Sequence, residues 1–183
     1  MFNYINRKLE MCLTFVFLVV FFVLSSSDIS SLEKDEYLLK AAFLGRLPHF
    51  IDWNPPIEQN NKRNFIIVIL GKDPFDGKII DLYANSKIKN KPVKIIKTKE
   101  LNDNYEPDLL FISYEDKNKV KTVLEKIKGK SILTVSDQED YAKLGININF
   151  LIKSRRLRFN INTSNKNIHF NHRLLKLAEN VFN

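Results

Sequence analysis

The chain is poor in the residues that redox and nucleotide-binding sites require. Its 183 residues include a single cysteine, Cys12. Cys12 lies in an apolar N-terminal segment, and without that segment no thiol remains for a disulfide or for redox chemistry. The chain has five glycines, but they form no phosphate-binding fingerprint, because Gly71 stands alone after its strand pattern. The sequence therefore predicts neither a redox site nor a glycine-rich nucleotide loop.

Histidines are also few, and they form no recognisable catalytic or metal-binding group. His169 and His172 could bind a metal ion if they shared one helical face, but no cysteine or acidic residue stands beside them. No serine occupies a nucleophile elbow. The carboxylates at 137, 139 and 140 are explained by the favourable electrostatics of a helix N-terminus. We therefore expect no enzymatic activity, no bound metal and no cofactor.

The N-terminal segment has the pattern of a secretory signal peptide. Two basic residues precede an apolar run from Cys12 to Leu24, and three serines follow it. The run is shorter than the ~20 residues of a membrane-spanning helix. We predict a cleaved signal peptide over 1–27 and a single secreted domain over 33–183. An uncleaved N-terminal membrane anchor is the alternative.

Basic residues outnumber acidic ones, and the formal net charge is +8. The densest basic runs lie over 87–94 and 153–158. A secretion signal argues against nucleic acid as the partner. The simplest interpretation is a solvated basic surface, and the alternative is attraction to anionic headgroups or an acidic partner.

Apolar runs and helical patterns alternate along the chain. Phe65–Leu70 and Leu109–Ile112 are continuously apolar, which is typical of strands buried on both faces. The pattern predicts a mostly parallel sheet flanked by helices, with a C-terminal antiparallel hairpin and a closing helix. The further predicted elements are helices over 33–53, from Pro74, over 116–128 and over 171–182, strands over 92–96 and 132–135, and a hairpin turn near 153–155.

Polar residues follow three of the predicted strands, at Asp73, Ser113 and Asp137. Ligands of open α/β sheets bind outside the carboxyl ends of the strands, which makes these residues candidate ligand-binding groups. The alternative is that they cap helices. Asp73 is a good N-cap, and Ser136 with Glu139 has the spacing of a capping box.

The predicted hairpin carries a second candidate surface. Arg156 and Arg158 should share one face with Asn160 and Asn162, because side chains alternate along a strand. Such a face suits a protein partner, and a solvated sheet face is the alternative.

The order of several short segments resembles the YfiR/HmsC family of periplasmic proteins. The resemblance runs from about Tyr37 to Phe182, nearly the whole secreted chain. Its segments are Ala41–Leu44 with Phe50 and Trp53, Leu70-Gly71 with Asp73–Phe75, Lys91–Val93, Leu110–Ser113, Leu133–Asp137, Arg158–Asn162 and Arg173–Ala178. Each is weak alone, but together and in this order they are specific.

The resemblance implies a non-enzymatic regulator in the periplasm. Members of the family bind the sensor domain of an inner-membrane diguanylate cyclase and hold it inactive, which keeps cyclic-di-GMP low and restrains biofilm formation. Some members carry disulfides that tune this repression. The present chain departs from them, since it keeps no cysteine after its N-terminal segment.

We expect the contact surface to combine Phe43 and Trp53 of the first helix with Arg156 and Arg158, because interfaces favour large apolar groups and arginine. The sequence leaves open whether the protein forms a homodimer. The alternative function is a small-ligand-binding module, with its site near the candidate strand-end residues, that serves a sensor kinase or an outer-membrane receptor system.

Overall fold

Ten strands and four helices are present in the computed structural model, which describes residues 36–59 and 61–183. The predicted signal peptide lies outside the described residues. The helices are α1 (36–46), α2 (Lys78–Tyr83), α3 (Lys117–Lys126) and α4 (His172–Leu177). The strands are β1 (Ile51–Trp53), β2 (Phe65–Leu70), β3 (Lys87–Ile88), β4 (Lys91–Thr98), β5 (Leu109–Ile112), β6 (Leu133–Ser136), β7 (Ile148–Lys153), β8 (Arg156–Asn162), β9 (Ile168–Phe170) and β10 (Val181–Phe182).

Eight of these strands form one sheet in the order β10-β8-β7-β6-β5-β2-β4-β3. All neighbours in it are parallel except the β7–β8 and β3–β4 pairs. The predicted α/β class with a mostly parallel sheet is therefore confirmed. Residues 38–183 form one compact unit. Among the described residues, no helix combines the length and the apolar character that crossing a bilayer requires.

The two faces of the sheet are covered by different elements. On one face, Val120 and Val123 of α3 pack with Leu70 and Ile112 at the ends of β2 and β5. On the other face, Phe75 before α2 meets the ring of Phe111 edge-on, with 4.9 Å between ring centroids. Burial on both faces explains why β2 and β5 are continuously apolar.

The first helix ends earlier than the sequence pattern predicts. We expected a helix over 33–53, but α1 ends at 46, a 3₁₀ turn spans Leu47–Phe50, and β1 follows. Pro48 has no amide hydrogen for an α-helical bond, so it ends the helix instead of kinking it. Strand β1 then pairs antiparallel with β9, with Ile51 opposite Phe170. This two-stranded sheet was missed because its strands have three residues each.

The helix after β2 begins later than predicted. We expected it to start at Pro74, but α2 starts at Lys78. Asp76 and Gly77 have φ angles of 51° and 76°, outside the helical region, and they separate a tight turn from the helix. Asp73 caps that turn, since its carboxylate accepts hydrogen bonds from the amides of Phe75 (2.9 Å) and Gly77 (3.2 Å).

The capping box predicted after β6 is not formed. Ser136 belongs to β6 and is fully buried, and its hydroxyl donates to the Ile112 carbonyl at 2.6 Å. The next helical turn is a 3₁₀ segment, Tyr141–Leu144, preceded by Asp140 at a φ of 64°. Ser136 is thus a cross-strand linker between β6 and β5 rather than a helix cap.

The C-terminal hairpin is confirmed, but the closing helix is shorter than predicted. Strands β7 and β8 pair antiparallel through a turn at Ser154 and Arg155, which both have positive φ. Of the helix expected over 171–182, only α4 forms. Ala178 is extended, and the chain then adds β10 parallel to β8, with Val181 beside Ile161. Residues 181 and 182 belong to this short strand. An apolar pair of this length fits a helical pattern as well as a strand, so the sequence could not distinguish the two.

Candidate functional site

The order in which the chain adds strands to the sheet reverses at the carboxyl ends of β2 and β5. From β2 the chain passes to β4 on one side, and it then returns to β5 on the other side of β2. Such a reversal separates the loops that follow the two strands and leaves a crevice between them. The loops here begin at Gly71 and Ser113.

Gly71 and Ser113 bring the two loops into close contact. The Ser113 hydroxyl lies within hydrogen-bond distance of the Lys72 carbonyl (2.5 Å) and the Leu70 carbonyl (3.1 Å). Gly71 has a φ of 108°, and a Cβ there would lie 2.7 Å from the Ser113 Oγ. Only glycine suits this position, because a side chain would be strained in conformation and would collide with the serine.

Beside this contact lies a cavity of about 790 Å³, which we call the switch-point crevice. Tyr114, Leu101 and Val123 supply much of its apolar wall. The Tyr114 hydroxyl donates to the Lys99 carbonyl. Burial, and to a lesser extent the charge of Glu100, raises the pKa of Tyr114, so the phenol stays neutral. The charged residues of the lining are Lys72, Lys99, Lys119, Lys126, Glu100 and Glu115.

Of the three predicted strand-end residues, the structure places only Ser113 in the crevice. Asp73 caps the turn before α2, and its carboxylate also lies 3.2 Å from the Lys97 ammonium. The Asp137 side chain is 3% exposed and forms a 2.8 Å ion pair with Lys40 of α1. Its second carboxylate oxygen has no hydrogen-bond partner among the described residues. Both aspartates are therefore engaged in holding structure together.

The hairpin arginines lie on a face with a third basic residue. Arg156 pairs across the strands with Lys153, and Arg158 pairs with Leu151, so these side chains share one face. Glu179 lies among them, with its carboxylate 2.8 Å from the Lys153 ammonium and 3.4 Å from the Arg158 Nε. The hydrogen bond from Lys153, helped by both positive charges, lowers the pKa of Glu179. We call Lys153, Arg156, Arg158 and Glu179 the basic face.

Phe43 lies on the opposite side of the sheet from the basic face. Its ring meets Phe150 edge-on at 6.4 Å, and Phe150 pairs with Phe159 on the face away from Arg158. Trp53 is 5% exposed and packs edge-on against Phe65 at 6.3 Å. The four residues that we expected to form one contact surface are therefore divided between two faces and the core.

Asn162 is also buried rather than part of a polar surface. It is 5% exposed, and its side-chain amide donates to the Ala142 carbonyl at 2.9 Å. Asn147 and Asn149 are buried as well, and Asn149 accepts from the Ala142 amide at 3.1 Å. Asn149 and Asn162 thus hold the 3₁₀ segment onto the sheet, because that short turn cannot satisfy its own backbone groups.

The two histidines considered as metal ligands lie on different elements, His169 in β9 and His172 at the start of α4. Within residues 36–59 and 61–183, no group of three His, Cys, Asp or Glu side chains could hold a metal ion. Sequence reasoning did not single out Lys72, Tyr114 and Lys119 of the crevice as ligand-binding residues. The signal that could have found them is the strand order, which single-sequence patterns do not reveal.

Residues 37–179 match the model of the YfiR/HmsC-like family, a family of regulatory rather than catalytic proteins of the periplasm. No curated protein matches the chain at a significant level. The matched range includes α1 from its second described residue, every strand from β1 to β9, and the crevice and basic-face residues described above. The chain belongs to the YfiR/HmsC-like family.

Proposed function

We propose that the protein is a non-enzymatic periplasmic regulator that binds the sensor domain of an inner-membrane diguanylate cyclase and represses it. The observation that carries the proposal is the family match over 37–179. Repression would keep cyclic-di-GMP low and restrain biofilm formation. Binding would favour the inactive conformation of the sensor domain, and release would let the active conformation return.

The basic face is the surface we assign to this contact. Lys153 and Arg158 contact the Glu179 carboxylate there, and Arg156 lies beside them. Arg156 is exposed, and the Arg158 side chain is 41% exposed. Arginine forms bidentate bonds to carboxylates and is enriched at interfaces. We therefore expect an acidic patch on the sensor domain. Phe43 packs behind the hairpin against Phe150, and Trp53 packs in the core against Phe65, so neither joins this surface.

Charge reversal of the arginines tests the proposal. The double variant Arg156→Glu/Arg158→Glu should lose repression, measured as cyclic-di-GMP in cells that contain a membrane diguanylate cyclase that the unmodified protein represses. Its melting temperature should stay within a few degrees of the parent value, because exposed ion pairs contribute only about 0–1 kcal/mol.

The control is Arg63→Glu/Arg173→Glu, which makes the same charge change at two exposed arginines outside the basic face. This control should repress normally. Full repression by Arg156→Glu/Arg158→Glu would contradict the assigned surface. Absence of any effect of the unmodified protein on the cyclase would contradict the proposed function itself.

A further inference from the structure

The switch-point crevice has the position and the size of a ligand-binding site. Its volume of about 790 Å³ lies within the range of roughly 300–1,000 Å³ that is typical of small-molecule sites. It lies at the carboxyl ends of β2 and β5, where the strand order reverses, and this is where open α/β sheets bind their ligands. Position and volume are independent observations, and both indicate a small molecule.

The charges of the crevice favour an anion. Four lysines line it against two glutamates, Glu100 and Glu115. Lys126 is held by the Leu101 carbonyl at 2.8 Å and by Asp103 at 3.4 Å. The remaining lysines, Lys72, Lys99 and Lys119, form no ion pair with any residue that the structure describes. Their ammonium groups are available to a phosphate or carboxylate group.

The apolar wall indicates what the anionic group is attached to. Tyr114, Leu101 and Val123 lie side by side in the lining. The Lys119 ammonium lies 5.7 Å from the centroid of the Tyr114 ring, so cation and ring are already paired. A ligand with a flat apolar portion can pack on this wall while its anionic group reaches the lysines.

We propose that the switch-point crevice binds a small organic anion, a phosphate or carboxylate group joined to an apolar portion about the size of one ring. The crevice serves binding and not hydrolysis, because the Ser113 hydroxyl is engaged by the Leu70 and Lys72 carbonyls and no histidine lines the site. The inference rests on the crevice alone and does not depend on the proposed function.

Isothermal titration of the secreted chain tests the inference. The probes are phenyl phosphate and benzoate, which separate the two anionic groups, with inorganic phosphate and neutral benzyl alcohol for comparison. At least one ring-bearing anion should bind, about tenfold or more tightly than inorganic phosphate, because only the ring uses the apolar wall. Benzyl alcohol should bind more weakly than that anion.

Two lysines of the same helix provide a matched pair of variants. Lys119→Gln should weaken binding of the ring-bearing anion about five- to tenfold, since one cation that lines the crevice is lost. Lys121→Gln makes the same charge change on α3 outside the crevice, and it should change the affinity less than about twofold. Both substitutions are at exposed positions, so folding is retained, and circular dichroism checks this.

Three results would overturn the proposal. The first is no binding of phenyl phosphate or benzoate by the parent protein. The second is an equal loss of affinity in the Lys119→Gln and Lys121→Gln variants, which would indicate a general charge effect. The third is binding of inorganic phosphate as tight as that of the ring-bearing anions.

Discussion

Two strand ends of the mostly parallel sheet look alike in the sequence and differ in the folded protein. Each has an aspartate near the carboxyl end of a buried strand, Asp73 after β2 and Asp137 after β6. Asp137 is sealed under α1 by Lys40, and the two side chains are 3% and 5% exposed. Asp73 instead pairs with Lys97, which is 43% exposed, close to an open crevice. Because α1 covers the carboxyl end of β6, the aspartate there is structural. The carboxyl end of β2 stays accessible to a ligand.

The largest difference should appear when each aspartate loses its lysine. Lys40→Met should lower the free energy of unfolding by about 3–5 kcal/mol, because it leaves a buried carboxylate without its counter-ion. Lys97→Met, the matched control, should cost no more than about 1 kcal/mol, since water solvates Asp73. Urea denaturation of both variants measures the difference.

A second variant checks the cause of the Lys40 effect. Lys40→Met/Asp137→Leu removes both charges and should recover much of the lost stability, because an apolar pair can replace a buried ion pair. Equal destabilisation by Lys40→Met and Lys97→Met would show that the two strand ends do not differ in the way described.

The pH dependence of the free energy of unfolding should report on the packing of α1, the helix that covers the carboxyl end of β6. Tyr83 of α2 donates to the Ala41 carbonyl of α1 at 2.6 Å, and burial raises the pKa of Tyr83 to about 12. The folded protein therefore favours the neutral phenol, whose stabilisation is complete below about pH 10. The free energy of unfolding should fall by up to about 3 kcal/mol as the pH rises from about 10 to about 12.

The Tyr83→Phe variant separates this effect from lysine titration, which occurs in both proteins. It should lack the additional loss of stability between about pH 10 and about pH 12. Urea denaturation of parent and variant at several pH values gives the comparison. If the free energies of unfolding of parent and variant fall in parallel across this range, the Tyr83 phenol does not contribute to the pH dependence.

The smallest effects concern the serines of the two ends. Ser136→Ala should cost about 1–2 kcal/mol, because the buried Ile112 carbonyl loses its hydroxyl donor. Ser113→Ala should cost less than about 1 kcal/mol, since water can reach the exposed Lys72. Thermal unfolding of the two variants measures both costs, and a larger cost at Ser113 would argue against an open crevice.

Long apolar segments were predicted well from the sequence, and short segments were not. β2 and β5 have the predicted bounds because a short, continuous apolar run rich in β-branched residues or bounded by polar ones suits a strand covered on both faces. The β7–β8 hairpin was also predicted, from its period of two. β1, β3, β9 and β10 were missed, since two or three residues carry no measurable period and these strands exist only through their partners.

The candidate sites were predicted in part, for a similar reason. Alternation along β8 placed Arg156 and Arg158 on one face, as the structure has them. Alternation could not indicate that Phe43 packs behind that face or that Asn162 is buried. Both facts depend on which element covers each side of the sheet.

The sequence by itself determined the α/β class, the strands of the sheet centre, the hairpin and the family, because these depend on local patterns of apolar and polar residues. The tertiary structure alone decided which polar strand end is closed and which is open. The pairing of Lys40 with Asp137 joins residues 97 positions apart. No local pattern records such a contact, because it exists only after α1 packs on the sheet and excludes water from the carboxylate.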